Sequence, residues 1–365
     1  MSDSMIAQSA ARLFADNVDK AVRESAEKGE LPGALWKLAT DSGFAVATAA
    51  ESSGGIGETW DAAYPILRGL GYWQVPLPLA ETMIGAQLLS MAGIEVPEGP
   101  LAIVEQGQDN NLADSGSGAA RVLSGSAHRV AWARHAGFAV VSLASGDIAL
   151  IDLRDSARVK IAPGLNHARL PADGLALDGA RIAALARNPL PAMDQPVWTL
   201  GAMARSVMMV GALEWLLEQS VQYANDRVQF GKPIGRYQAI QQQLALLAGD
   251  VAASRVAAIV AANDAPSSTR PASAQAVFSA AVAKARVGES ATRGTSIAHQ
   301  VHGAIGFTHE HQLHFATRRL WAWREEFGSD AWWAERLGQA AIQSAAAGFW
   351  PALTARQFPG KSLAG

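Results

Sequence analysis

The chain has 365 residues, 49% of them hydrophobic and 17% charged, enough apolar material for two or three folded domains and too much for a disordered chain. A formal net charge of −3 without a basic stripe offers nothing to a nucleic acid, and the lack of cysteine excludes disulfides, thiolate nucleophiles and Cys-ligated zinc or iron–sulfur centres. The amino terminus lacks the basic-then-apolar pattern of a secretion signal and no uninterrupted apolar run reaches about 18 residues, so a soluble, cytoplasmic protein without membrane contact is expected.

Three blocks differ in texture, and they set expected domains of 1–95, 96–190 and 191–365. In the first, Ser4 to Lys28 reads as one helix and Pro32 to Ser42 as a second that ends near Gly43. The loop Glu51-Ser-Ser-Gly-Gly-Ile-Gly57 precedes a helix over about Asp61 to Arg68. Pro76-Leu-Pro-Leu79 then breaks the chain before a helix over about Ala80 to Met91. The second block holds short apolar or alternating runs, such as Phe138–Leu143 and Ile148–Leu153 with a hairpin signal at Ser145-Gly-Asp147, and reads as a small β domain. In the third, Leu200, Met203, Val207, Val210, Leu213, Leu217 and Val221 recur every three or four residues, the period of one buried helix face. Ile240, Leu244, Leu247 and Val251 repeat it, a third long helix follows from about Ala272 towards Gly303, and further helices are expected over 309–327 and 329–348.

The most informative segment runs from Tyr223 to Gln241. It ends one long helix, turns through Gly231-Lys-Pro233 and starts another. Arg227 and Gln229 sit at that helix end, where a guanidinium can meet a pyrophosphate bidentately and an amide can hold a ribose or phosphate oxygen. Phe230 can cover a flat ring. The plain alternative is a helical hairpin in which Arg227 pairs with Asp226 or with a C-terminal carbonyl.

This segment resembles the acyl-CoA dehydrogenase signature, Tyr-x-x-x-Arg-x-Gln-Phe-Gly followed by Pro-Ile and Phe-Gln-x-x-Gln, with Tyr237 in place of the phenylalanine. Gln300-Val-His-Gly-Ala-Ile-Gly-Phe307 resembles the family's Gln-x-x-Gly-Gly-x-Gly-Phe element, with Ala304 for one glycine. Glu51–Gly57 and Pro76-Leu-Pro-Leu-Ala-Glu-Thr82 complete the set in the family's order. The resemblance implies a mainly α fold with a small β domain: an N-terminal helical domain, a central β-barrel-like domain and a C-terminal four-helix bundle. It also implies FAD, with Arg227, Gln229, Phe230, Gln300, Gly303 and Ala304 as contacts to the ADP half of a flavin shared with a neighbouring subunit. A dimer or tetramer, an acyl-CoA substrate and an electron-transferring flavoprotein follow from the same resemblance. Small residues at Gly303 and Ala304 suit a close backbone approach, and Gly303 equally suits a helix C-cap.

Family chemistry needs a flavin to take hydride from the β-carbon, a carboxylate to remove the α-proton and donors to polarise the thioester. Neither usual position for the carboxylate holds one. Counting on from the glycine element lands on Phe327, and the alternative position, about 26 residues before Arg227, is Gly201. Glu326 is the nearest replacement and the candidate base; the plain alternative puts Glu325 and Glu326 on a solvated helix end beside Arg324 or Arg319. Asp114-Ser-Gly-Ser-Gly118 stands where members carry a flavin-ring segment and reads as a linker, and Trp132 is read as flavin edge or core. Arg205 is a stand-in for the CoA arginine that Ala202 replaces, or else a surface pair. Five of the eight histidines lie between His299 and His314, and the spacing of Glu310, His311 and His314 is acceptable for a metal, but nothing completes a site, so no metal is expected.

Three functions follow. The first is an FAD-dependent acyl-CoA dehydrogenase oxidising the α,β bond of a CoA thioester, with Glu326 or a partner residue as base. The second is a companion subunit, of the kind known in bacterial steroid side-chain breakdown, that keeps FAD contacts but leaves the base to a related catalytic chain. The third is a flavin monooxygenase of the same fold, which the intact Arg227-Val-Gln-Phe-Gly231 element disfavours.

Overall fold

Asp19 divides the first expected helix. Its carboxylate accepts the Val22 N–H at 2.9 Å, an N-cap that starts a new helix. The computed structural model, which describes residues 5–108, 110–116 and 121–356, therefore has α1 (Met5–Asn17) and α2 (Lys20–Ala26) where periodicity alone predicts one helix. α3 (Gly33–Asp41) and α4 (Trp60–Tyr72) follow, then α5 (Leu79–Met91), which is buried from Leu79 to Ser90. A helix without a polar face belongs in the core, and its polar side chains must find partners there. Gln87 does so, accepting from Trp60 Nε1 at 3.0 Å and donating to the Pro266 carbonyl at 2.7 Å.

The middle block forms β1 (Leu101–Glu105), β2 (Asn111–Ser115), β3 (Val122–Ala131), β4 (Phe138–Leu143), β5 (Asp147–Asp152), β6 (Val159–Ala162) and β7 (Ala172–Arg187). The sheet order is β1-β4-β5-β7-β3-β2 with β6 also on β7; β1 and β4 are parallel and the other pairs antiparallel. The long β7 ties both halves together, and β1 returns against β3 so that the sheet curls around Val104, Val141, Ile151 and Leu175. Asp114 and Ser115 pair with Leu123 and Val122 in β2, so that part of the expected linker is an edge strand; Ser117 and Gly118 lie outside the described residues.

The carboxy-terminal block comprises α6 (Pro196–Asp226), a hairpin of β8 (Val228–Gln229) and β9 (Lys232–Pro233), α7 (Gln238–Asp264), α8 (Ala274–His302), α9 (Leu313–Glu325), α10 (Asp330–Gln343) and α11 (Ala345–Thr354). α6 is the central beam. Its stripe is buried from Leu200 to Leu213, but Val221 is 40% exposed because the last turns run out of the core towards the hairpin. α4 and α6 touch backbone to backbone: a Cβ on Gly211 would lie 2.0 Å from the Arg68 carbonyl oxygen. Gln195 provides no side-chain cap for α6, and the β domain supplies one instead, with Glu105 accepting the Trp198 N–H at 3.0 Å. Burial pushes the Glu105 carboxyl up to about 8 against the opposing hydrogen bonds from Ser142, Trp198 and Val197. α7 is apolar yet leaves Leu246 and Val256 exposed.

Candidate cofactor groove and active-site cavity

α6 ends at Asp226, and the β8–β9 hairpin swings the next residues clear of the bundle. Arg227 is exposed, and none of the described residues pairs with its guanidinium; Asp226 accepts instead from Gln222 Nε2 at 2.7 Å. The plain pairing of Arg227 with Asp226 is therefore absent. Arg227, Gln229 and Phe230 line one open groove of about 640 Å³, and Gln300, Gly303 and Ala304 line its other side. All six residues singled out in the sequence meet there. Gly303 caps α8 by donating its N–H to the His299 carbonyl, at φ +62°. A Cβ there would meet nothing within 4 Å, so the positive φ, not crowding within this chain, calls for glycine.

The neighbouring histidines pack ring against ring. His302 stacks on Tyr223 with centroids 4.6 Å apart and meets His311 edge-on at 4.8 Å, while His299 stacks on Phe307 at 4.5 Å. Burial holds His299, His302, His311 and His314 below the ordinary histidine value, favouring neutral rings. Among the described residues no group of three or more His, Asp or Glu side chains is placed to hold a metal ion.

A separate cavity of about 390 Å³ lies between the sheet and the bundle. Its wall includes Glu105, His128, Arg129, Trp198, Arg205, Glu326 and Phe327. Small-molecule sites span about 300–1,000 Å³, and this cavity falls within that range. Trp132 does not line it; that side chain is buried with Ala26, Ala168, Leu170 and Ala322, as a core tryptophan.

The two positions from which a base is expected converge in space. The Phe327 ring covers Gly201 so closely that a Cβ on Gly201 would lie 2.5 Å from it. Trp198 closes the same spot, meeting Phe327 and Trp332 edge-on at 6.0 and 5.8 Å. Phe327 is held at φ +56°, its carbonyl accepting from Trp333 Nε1 at 2.9 Å. Beneath it the fully buried Lys284 ammonium donates to the carbonyls of Gly328 and Arg324 at 2.6 and 2.7 Å. Burial pulls Lys284 down to about 7, opposed by Glu326, Asp330 and Glu325.

Glu326 faces the cavity, yet both of its oxygens are engaged. One accepts from Arg205 Nε at 2.6 Å and the other from Asn166 Nδ2 at 3.0 Å. Arg205 is buried, not a surface pair, and its second carboxylate is Glu81 on α5. Burial draws Arg205 down, but Glu81 and Glu326 outweigh it and the net shift is up. Sequence reasoning singled out Arg205 and Glu326 but missed Glu81, Asn166, Glu105 and Lys284. The signal available for Glu81 was a single charged residue inside an otherwise uncharged, largely apolar helix.

A helical domain, a curled sheet and a long-helix bundle, with a motif-lined groove at the bundle's edge, define the acyl-CoA dehydrogenase fold. The family model for the acyl-CoA dehydrogenase N-terminal domain matches residues 2–96 and that for the C-terminal domain matches residues 196–342. The chain belongs to the acyl-CoA dehydrogenase family. Acyl-CoA dehydrogenase FadE27 of Mycobacterium tuberculosis is 28% identical to it, over 77% of this chain and 80% of that one. Acyl-CoA dehydrogenase IpdE2 of the same organism is 35% identical over 38% of this chain, a match that spans only 41% of the relative's length. A chain of the solved ChsE4-ChsE5 complex from M. tuberculosis superposes with a TM-score of 0.80 at 23% identity, over 94% of this chain and 99% of that one.

Proposed function

We propose that this chain is an FAD-binding companion subunit, working with a related chain that supplies the catalytic base for α,β-dehydrogenation of a CoA thioester. One observation carries the reading: Phe327 packed on Gly201 fills the place of the base with an aromatic ring. Glu326, the remaining candidate, is committed to Arg205 and Asn166 and is poorly disposed to take a substrate proton. By contrast the groove at Arg227 is open, and its guanidinium has no partner among the described residues, which fits the ADP half of FAD.

In this reading Arg227 engages the pyrophosphate, Gln229 and Gln300 hold ribose or phosphate oxygens, and Phe230 covers the adenine. FAD, when bound, supplies the hydride acceptor. The bare apolar face of α7, beside the hairpin in sequence, offers surface for the partner chain, and likeness to a chain solved in the ChsE4-ChsE5 complex supports a two-chain assembly. Electrons leave the assembly for an electron-transferring flavoprotein. An intact ADP groove argues against the monooxygenase reading.

The tagged chain, purified from its own cells, is expected to carry a second family member in equal amount. Mass spectrometry should find in that partner a carboxylate at the position aligned with Gly201 or Phe327. Recovery of this chain solely as a homo-oligomer that oxidises thioesters would sink the proposal.

A further inference from the structure

The β8–β9 hairpin turns through Phe230 at φ +52° and Gly231 at φ +83°, between the paired residues Gln229 and Lys232. Two successive positive φ angles make a type I′ turn, whose first corner favours asparagine, aspartate or glycine. Phenylalanine works against its backbone preference there, and burial gives no compensation, since Phe230 is 92% exposed. Contacts outside the turn must hold it.

Tyr237, the residue immediately before α7, makes those contacts. Its hydroxyl lies 3.1 Å from the Gln229 carbonyl oxygen and 3.4 Å from that of Phe230, donating to the turn from across the hairpin. Its ring meets the Phe230 ring edge-on at 6.5 Å, and the Lys232 ammonium lies 4.4 Å over the same tyrosine ring. The family signature has phenylalanine at this position, so the hydroxyl is a departure that the FAD motif itself does not require. We infer that Tyr237 is a positioning residue, whose hydroxyl latches the strained Phe230–Gly231 turn in the shape that presents Phe230 and Arg227 to the cofactor. The inference rests on the FAD reading of the groove.

Calorimetric titration of the full chain with FAD, and separately with ADP as a probe of the groove alone, tests it. Tyr237→Phe keeps the ring and loses the hydroxyl; it is expected to weaken both ligands about 3- to 10-fold while leaving the melting temperature unchanged. Phe230→Asn gives the turn a residue that adopts positive φ readily, so in that background Tyr237→Phe should change affinity by less than about two-fold. Equal affinity of wild type and Tyr237→Phe would overturn the latch. So would a loss of the same size in the Phe230→Asn background, because the hydroxyl would then act other than through the turn. Wild-type protein that binds neither FAD nor ADP would overturn the FAD reading, and the latch with it.

Discussion

Arg205→Met is expected to destabilise the chain by about 3–5 kcal/mol, read as a fall in the chemical-denaturation midpoint. The guanidinium sits between Glu81 and Glu326 with its side chain 4% exposed and that of Glu81 3% exposed. Methionine roughly fills the space but leaves Glu81 in the core without a cation, and desolvation of an unpaired carboxylate dominates the cost. Glu81→Gln added to Arg205→Met should recover part of the loss, because the remaining amide is neutral. The same ion pairs fix the Glu326–Gly328 loop, so the single variant should also loosen Phe327 over Gly201. A loss below about 1 kcal/mol would mean that the cluster behaves as a solvated surface pair.

Arg227→Ala should do the opposite: leave stability within about 0.5 kcal/mol and weaken FAD binding about 10- to 100-fold. No internal bond of Arg227 is lost, because the guanidinium has no partner among the described residues. Losing a bidentate, charge-assisted contact to pyrophosphate accounts for the size. Arg227→Lys should recover part of the affinity, since an ammonium restores the charge but not the fork. Unchanged affinity in Arg227→Ala, by equilibrium dialysis, would remove the groove from cofactor binding.

What was legible in the sequence was local. The stripe from Leu200 to Leu213 and the hairpin at Ser145–Asp147 repeat at the spacing of their own backbone, and periodicity finds such features. The six groove residues were also legible, because they belong to two contiguous segments that end helices. Periodicity failed at Asp19, where a capping carboxylate ends one helix and begins another without interrupting the apolar spacing. It failed at Asp114 and Ser115, because an edge strand with one face in solvent reads as a polar linker. The cavity was least legible. Phe327 on Gly201, Glu81 with Arg205, and Lys284 under Gly328 each join residues far apart in the chain, and no local spacing encodes them. Counting along the motif identified Gly201 and Phe327 as two places lacking a carboxylate; only the fold makes them one place.

The central claim, that this chain binds FAD but lacks its own base, is tested most directly by anaerobic titration of the purified chain alone. It would be titrated with a panel of acyl-CoA thioesters while flavin absorbance is followed at about 450 nm, where oxidised flavin absorbs. The account predicts bound flavin that stays oxidised with every thioester. Bleaching by a thioester that Glu326→Gln abolishes would contradict it, making Glu326 the base of a self-sufficient dehydrogenase.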